Sequence, residues 1–153
     1  MARSRKRETN MTIQAKLEWK EKMQFVGQAG DSPSVFIDTN DGKTGPTPME
    51  MVLMGVAGCT AIDVIHIMKR RRAEVTGFQV NVTGERAEDH PKRYTRILIE
   101  YVLEGKGITS KDVERAIKLS TTKYCSATAS MNAQVETSYR ILVKEGSKGE
   151  FPA

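Results

Sequence analysis

Between Pro48 and Arg72 the chain runs without a proline, and its apolar residues do not keep to one face. Met51, Val52, Leu53, Met54, Val56, Ala57, Ala61, Ile62, Val64, Ile65, Ile67 and Met68 cover nearly the whole circumference of the single long helix that this spacing predicts. At about 1.5 Å per residue such a helix is roughly 35 Å long. A helix apolar all round must be covered on most sides, and a chain of 153 residues has little material for that. The pattern therefore predicts a partner subunit, most simply an identical one. Both ends of the helix are marked. Thr47 is the expected N-cap and Pro48 suits the first helical position, while Lys69, Arg70, Arg71 and Arg72 suit the negative end of the macrodipole.

Around this helix the periodicity changes from helical to alternating. Residues 12–19 alternate apolar and polar, and Gln24 to Gly27 and Ser34 to Asp38 are short strand candidates, so the region reads as an antiparallel meander. Phe78 to Glu85 and Tyr94 to Leu103 alternate cleanly and form a second hairpin across the polar segment 86–93. Thr109, Ser110, Lys111 and Asp112 open a helix running to about Thr122, a helical turn starts near Cys125, and a strand spans Gln134 to Val143. Strands grouped in antiparallel runs, without a strict βαβ repeat, predict an α+β fold.

The formal charge of +5 is unevenly placed. Arg3, Arg5, Lys6 and Arg7 against Glu8 account for +3 of it within the first ten residues, leaving only +2 for the rest. Residues 1–11 are accordingly read as a flexible basic leader or an artificial extension, 12–146 as one domain and 147–153 as a tail. Without the leader the charge gives no reason to expect nucleic acid. The long helix carries Glu50, Asp63 and His66, which oppose a membrane span, so the expectation is a soluble cytoplasmic protein with no membrane association.

Cys59 and Cys125 are the only cysteines, too few for a disulfide-stapled secreted scaffold. Along the helix Asp63 lies about 40° from Cys59 and His66 about 20° on the other side, so the three form a polar lane. Asp63 and His66 either bond to neighbouring elements or tune the Cys59 thiol. Glu50 stands nine residues before Cys59, about 13 Å along a straight helix. It either complements the helix dipole or takes part in chemistry from a partner helix. Cys125 precedes Ser-Ala-Thr-Ala-Ser at a helix start, where amides and Lys123 are expected to lower its pKa. Two widely separated cysteines and two histidines without ligand spacing predict no metal site, and no phosphate loop or nucleophile elbow predicts a cofactor or a serine hydrolase.

Gly45-Pro46-Thr47-Pro48-Met49-Glu50 leading into Gly58-Cys59-Thr60, then Glu88-Asp89-His90-Pro91, then Lys123-Tyr124-Cys125-Ser126, together resemble the OsmC-like proteins over roughly residues 12–144. That family includes the organic hydroperoxide resistance proteins and a less characterised branch that this chain looks most like. The resemblance implies antiparallel sheets around a long central helix and an intertwined homodimer with its sites at the subunit interface. It also implies that Cys59 attacks the O–O bond of a small organic hydroperoxide, becoming a sulfenic acid, and that Cys125 resolves it as a disulfide reduced by an external dithiol. Met49 stands where the characterised peroxidases have glutamate, which leaves Glu50 as the acid. Residues 12–69 contain no arginine to match the early-strand arginine of those enzymes, so Arg93 or Arg96 is the candidate replacement. The alternative within the same fold is a non-catalytic dimer that binds a small apolar ligand and keeps its cysteines for structure.

Overall fold

A computed structural model describes residues 11–142 of the chain. The expected leader, apart from Met11, and the expected tail over 147–153 lie outside the described residues. The chain divides into two compact units between Met51 and Val52.

In the first unit β1 (Ala15–Glu21), β2 (Gln24–Ala29) and β3 (Val35–Ile37) form an antiparallel meander in the order β1-β2-β3, as the alternation over 12–38 predicts. The β1–β2 turn places Lys22 at φ 47°. After β3 the buried carboxylate of Asp38 organises the approach to the helix. It accepts the Thr39 N–H at 2.7 Å and a hydrogen bond from the Thr44 hydroxyl. These bonds, the Thr44 hydroxyl first, hold the Asp38 carboxyl below its usual range. Gly45 has no room for a side chain, because a Cβ there would run into the Phe36 carbonyl.

Helix α1 (Pro48–Arg70) begins with a capping box. The Glu50 N–H donates to Thr47 Oγ1 at 3.3 Å, and Glu50 Oε2 accepts the Thr47 N–H at 2.7 Å. The helix runs past the division at Met51, and its buried side chains, Val56, Ala57, Thr60, Val64 and Met68, mark one stripe. Val52, Met54 and Ile62 remain 39%, 50% and 69% exposed. The apolar circumference read from the sequence is thus covered on one side only.

The second unit contains β4 (Glu74–Arg86), β5 (Tyr94–Lys106), α2 (Ser110–Leu119), a π-turn over Ser120–Tyr124, the short helix α3 (Ser126–Ala129) and β6 (Gln134–Leu142). β5 is central, in the order β4-β5-β6. Ile97, Ile99, Tyr101 and Leu103 alternate inward from it and are each at most 1% exposed. The Tyr101 ring stacks on Phe78 of β4, with centroids 6.5 Å apart. β4 and β5 pair antiparallel as expected. β6, however, joins β5 in parallel, with Arg96 opposite Gln134 and Leu103 opposite Ile141. This corrects the expectation of purely antiparallel sheets. The chain between β5 and β6 carries α2, the π-turn and α3, and such a crossover delivers the last strand in the same direction as the first.

By length and composition α1 is the one helix among the described residues that passes for a membrane span, with a mean hydropathy of 1.9. Its Thr60 is fully buried and bonded to Tyr101 and Ser120. That is how a core helix of a globular fold is anchored.

Candidate active site: two thiols and a carboxylate

Cys59 lies on α1 between buried residues and the exposed face, one turn before Asp63. Cys125 reaches the same place from the other end of the unit through an irregularity in the backbone. After α2 the helix widens by one residue per turn, and the Cys125 N–H bonds to the Ser120 carbonyl at 2.8 Å. Ser120 is thereby turned inward, and Cys125 follows in extended geometry (φ −72°, ψ 96°) as the N-cap of α3. Its sulfur accepts the Thr128 N–H at 3.4 Å and lies 2.9 Å from the Thr128 hydroxyl.

The two Sγ atoms and a carboxylate oxygen of Asp63 all lie within 4.8 Å of one another. A chain of hydroxyls fixes the carboxylate. Ser120 Oγ donates to Asp63 Oδ2 at 2.8 Å, Ser120 and Thr60 Oγ1 are 2.9 Å apart, and Thr60 is 2.7 Å from the Tyr101 hydroxyl. These polar atoms therefore satisfy one another within the interior. Burial pushes the Tyr101 phenol up, and the Thr60 bond partly offsets the shift.

The sulfurs differ in setting. Cys125 is 4% exposed, whereas Cys59 is half-buried. Burial, the largest cause, pushes the Cys125 thiol up; the Thr128 bonds pull it down, and the neighbouring Cys59 thiol raises it further. This reverses the lowering expected from the helix start. The short α3 offers one amide, and the Lys123 ammonium lies over the Tyr124 ring, 5.2 Å from its centroid.

The other candidates lie elsewhere or at the margin. Glu50 is committed to the capping box, which holds its carboxyl below the usual range, chiefly through the Thr47 N–H. The sequence carries this signal openly as Thr-x-x-Glu. Arg93 donates to the backbone carbonyls of Tyr94 and Asn132 at 3.2 and 2.8 Å. Arg96 makes a two-point ion pair with Glu136, at 2.9 and 2.8 Å, and a third bond to Glu85. Arg96 is thus held by carboxylates of the two flanking strands, and Arg93 by backbone carbonyls at the start of β5 and ahead of β6. The exposed His66 lines a groove of about 470 Å³ together with Asp63, Ile67, Arg70, Arg71, Arg115, Leu119 and Tyr124. The cations that share a groove with the Asp63 carboxylate are therefore Arg70, Arg71 and Arg115. The sequence signalled the first two only as a basic helix end.

The model for OsmC-like proteins matches residues 40–140. Protein YhfA of Escherichia coli is 35% identical over 127 residues, which is 83% of this chain and 95% of that protein. A hypothetical protein from Aquifex aeolicus has 32% identity and a TM-score of 0.81, over 89% of this chain and 100% of its own. The organic hydroperoxide resistance protein OhrB of Bacillus subtilis shares the fold at a TM-score of 0.58 and 14% identity, over 85% and 98% of the two chains. The chain belongs to the OsmC-like family.

Proposed function

We propose that the protein is a thiol-dependent peroxidase for small organic hydroperoxides. The observation that carries this reading is the convergence of the chain's only two cysteines within 4.8 Å, one partly open and the other buried. A disulfide needs its sulfurs at about 2.05 Å, and from this separation side-chain rotation with a small backbone adjustment brings them into bonding range. Cys59, the more accessible sulfur, is the attacker. Its thiolate displaces an alkoxide from the O–O bond and becomes a sulfenic acid, and the alkoxide takes up a proton to leave as the alcohol. Asp63, with a carboxylate oxygen within 4.8 Å of the Cys59 sulfur, is the base assigned to take up the thiol proton and pass it on. The Cys125 thiol then condenses with the sulfenic acid, forming the Cys59–Cys125 disulfide and releasing water. An external dithiol returns both residues to thiols by exchange, which suits a reducing cytoplasm.

The substrate approaches by the groove that Asp63 lines. In this reading the protein works as a homodimer formed through the exposed face of α1. Gly55 and Gly58 leave open space where side chains would stand, and a second copy of the helix can approach closely there.

Hydroperoxide consumption with and without excess dithiol tests the reading. With dithiol the wild type turns over and Cys59→Ser consumes nothing above background; without dithiol, Cys125→Ser consumes one equivalent per chain and is left with Cys59 as sulfenic acid, whereas the wild type is left with the disulfide. Equal turnover by wild type and Cys59→Ser would contradict it.

A further inference from the structure

Nothing in the sequence spacing indicates a metal site, yet the fold brings together a ligand set that local motifs do not encode. Cys59 and Asp63 come from successive turns of α1, and Cys125 directly follows the π-turn after α2. We propose that the reduced protein binds a thiophilic divalent cation of the zinc class through Cys59, Cys125 and Asp63.

Two thiolates and a carboxylate form a donor set that suits zinc and disfavours magnesium or calcium, which need more oxygen ligands. Zinc lies about 2.3 Å from sulfur and about 2.0–2.2 Å from carboxylate oxygen, so tetrahedral donors stand roughly 3.4–3.8 Å apart. The three donor atoms, all within 4.8 Å of one another, close on such an ion with small side-chain movements. Supporting bonds are in place. Ser120 donates to Asp63 Oδ2 at 2.8 Å, which leaves the other oxygen for the ion. The Thr128 N–H orients the Cys125 sulfur. Outer bonds of this kind fix metal ligands in direction. Asp63 also lines the open groove, which gives the ion an entry path. Three protein ligands leave a fourth position for water or a small anion.

Binding displaces two thiol protons to solvent and moves no electrons. Both sulfurs are then engaged, so the metal-bound form is a store of reduced thiols that cannot attack a peroxide. The site does not depend on the peroxidase reading, since it needs only the reduced pair and Asp63.

Titration of the reduced, chelator-washed full chain with Co²⁺ under anaerobic conditions tests the site. The expected result is one equivalent per chain, near-ultraviolet absorption from two thiolate-to-cobalt charge transfers, and displacement by Zn²⁺. Cys59→Ser and Cys125→Ser each lose about half of that absorption. Asp63→Asn keeps it but binds on the order of tenfold or more weakly. For variants that fold poorly by circular dichroism, the wild type supplies a second readout: Zn²⁺ slows alkylation of Cys59 and Cys125 together. An absent charge-transfer band, unchanged absorption in Cys125→Ser, or protection of one cysteine alone would overturn the proposal. If the reduced, metal-free protein consumes no hydroperoxide but binds Co²⁺ as expected, the peroxidase reading fails and the metal site stands.

Discussion

Cys125 shows how far a residue's chemistry departs from its local sequence. A cysteine at a helix start beside a lysine reads as an activated thiolate, but burial dominates once Ser120, Thr128 and Cys59 pack around it. Because its folded pKa is raised, the group contributes stability below the unfolded value of about 8.5, and that contribution is lost as pH rises through the folded value. In the Cys59→Ser variant, iodoacetamide labelling of Cys125 should therefore show an inflection on the alkaline side of an ordinary cysteine. An inflection at or below the ordinary value would mean that Thr128 outweighs burial. Glu50 is a different case: Thr47-x-x-Glu50 spells the capping box that the structure contains, a local signal that the reading of Glu50 as a dipole partner or catalytic acid passed over. The Cys59–Asp63 lane was legible, because one helix turn separates the two residues. Its meeting with Cys125 was expected from the family resemblance alone, not from any local pattern. That contact depends on an extra residue in the turn after α2, which no periodicity records.

Among the elements, α1, both hairpins and the helix after Thr109 follow from hydrophobic periodicity and capping residues alone. β6 does not, because its alternation gives the same faces whether it pairs parallel or antiparallel. Only the crossover through α2 decides its direction. The strongest element-level statement in the sequence, an apolar circumference on α1, leaves Ile62 at 69% exposure beside the open positions of Gly55 and Gly58. Light scattering after size exclusion should accordingly give a dimer for the wild type. Ile62→Glu, which places like charges in the seam and removes no buried contact, should shift it towards monomer with its circular dichroism retained. A monomeric wild type, or an Ile62→Glu variant as dimeric as the wild type, would count against α1 as the seam.

At the scale of the molecule, membership of the OsmC-like family, the convergence of two thiols and the unequal burial of those thiols all bear on one claim: Cys59 and Cys125 form a peroxide-driven redox pair. The family's early-strand arginine has no counterpart in residues 12–69. Arg93 and Arg96 are bonded within their own sheet region. The cations that share the groove with Asp63 come instead from the end of α1 and from α2. This arrangement differs from the one the resemblance implied, and it leaves the sulfur pair as the part of the site that must work. The most direct measurement is peptide mapping by mass spectrometry after one equivalent of cumene hydroperoxide is added to the reduced protein. The account predicts a cross-linked peptide pair containing Cys59 and Cys125, lighter by two hydrogens than the reduced peptides and restored by dithiol. Two thiols that remain reduced, or a Cys59 oxidised beyond sulfenic acid with Cys125 untouched, would contradict it.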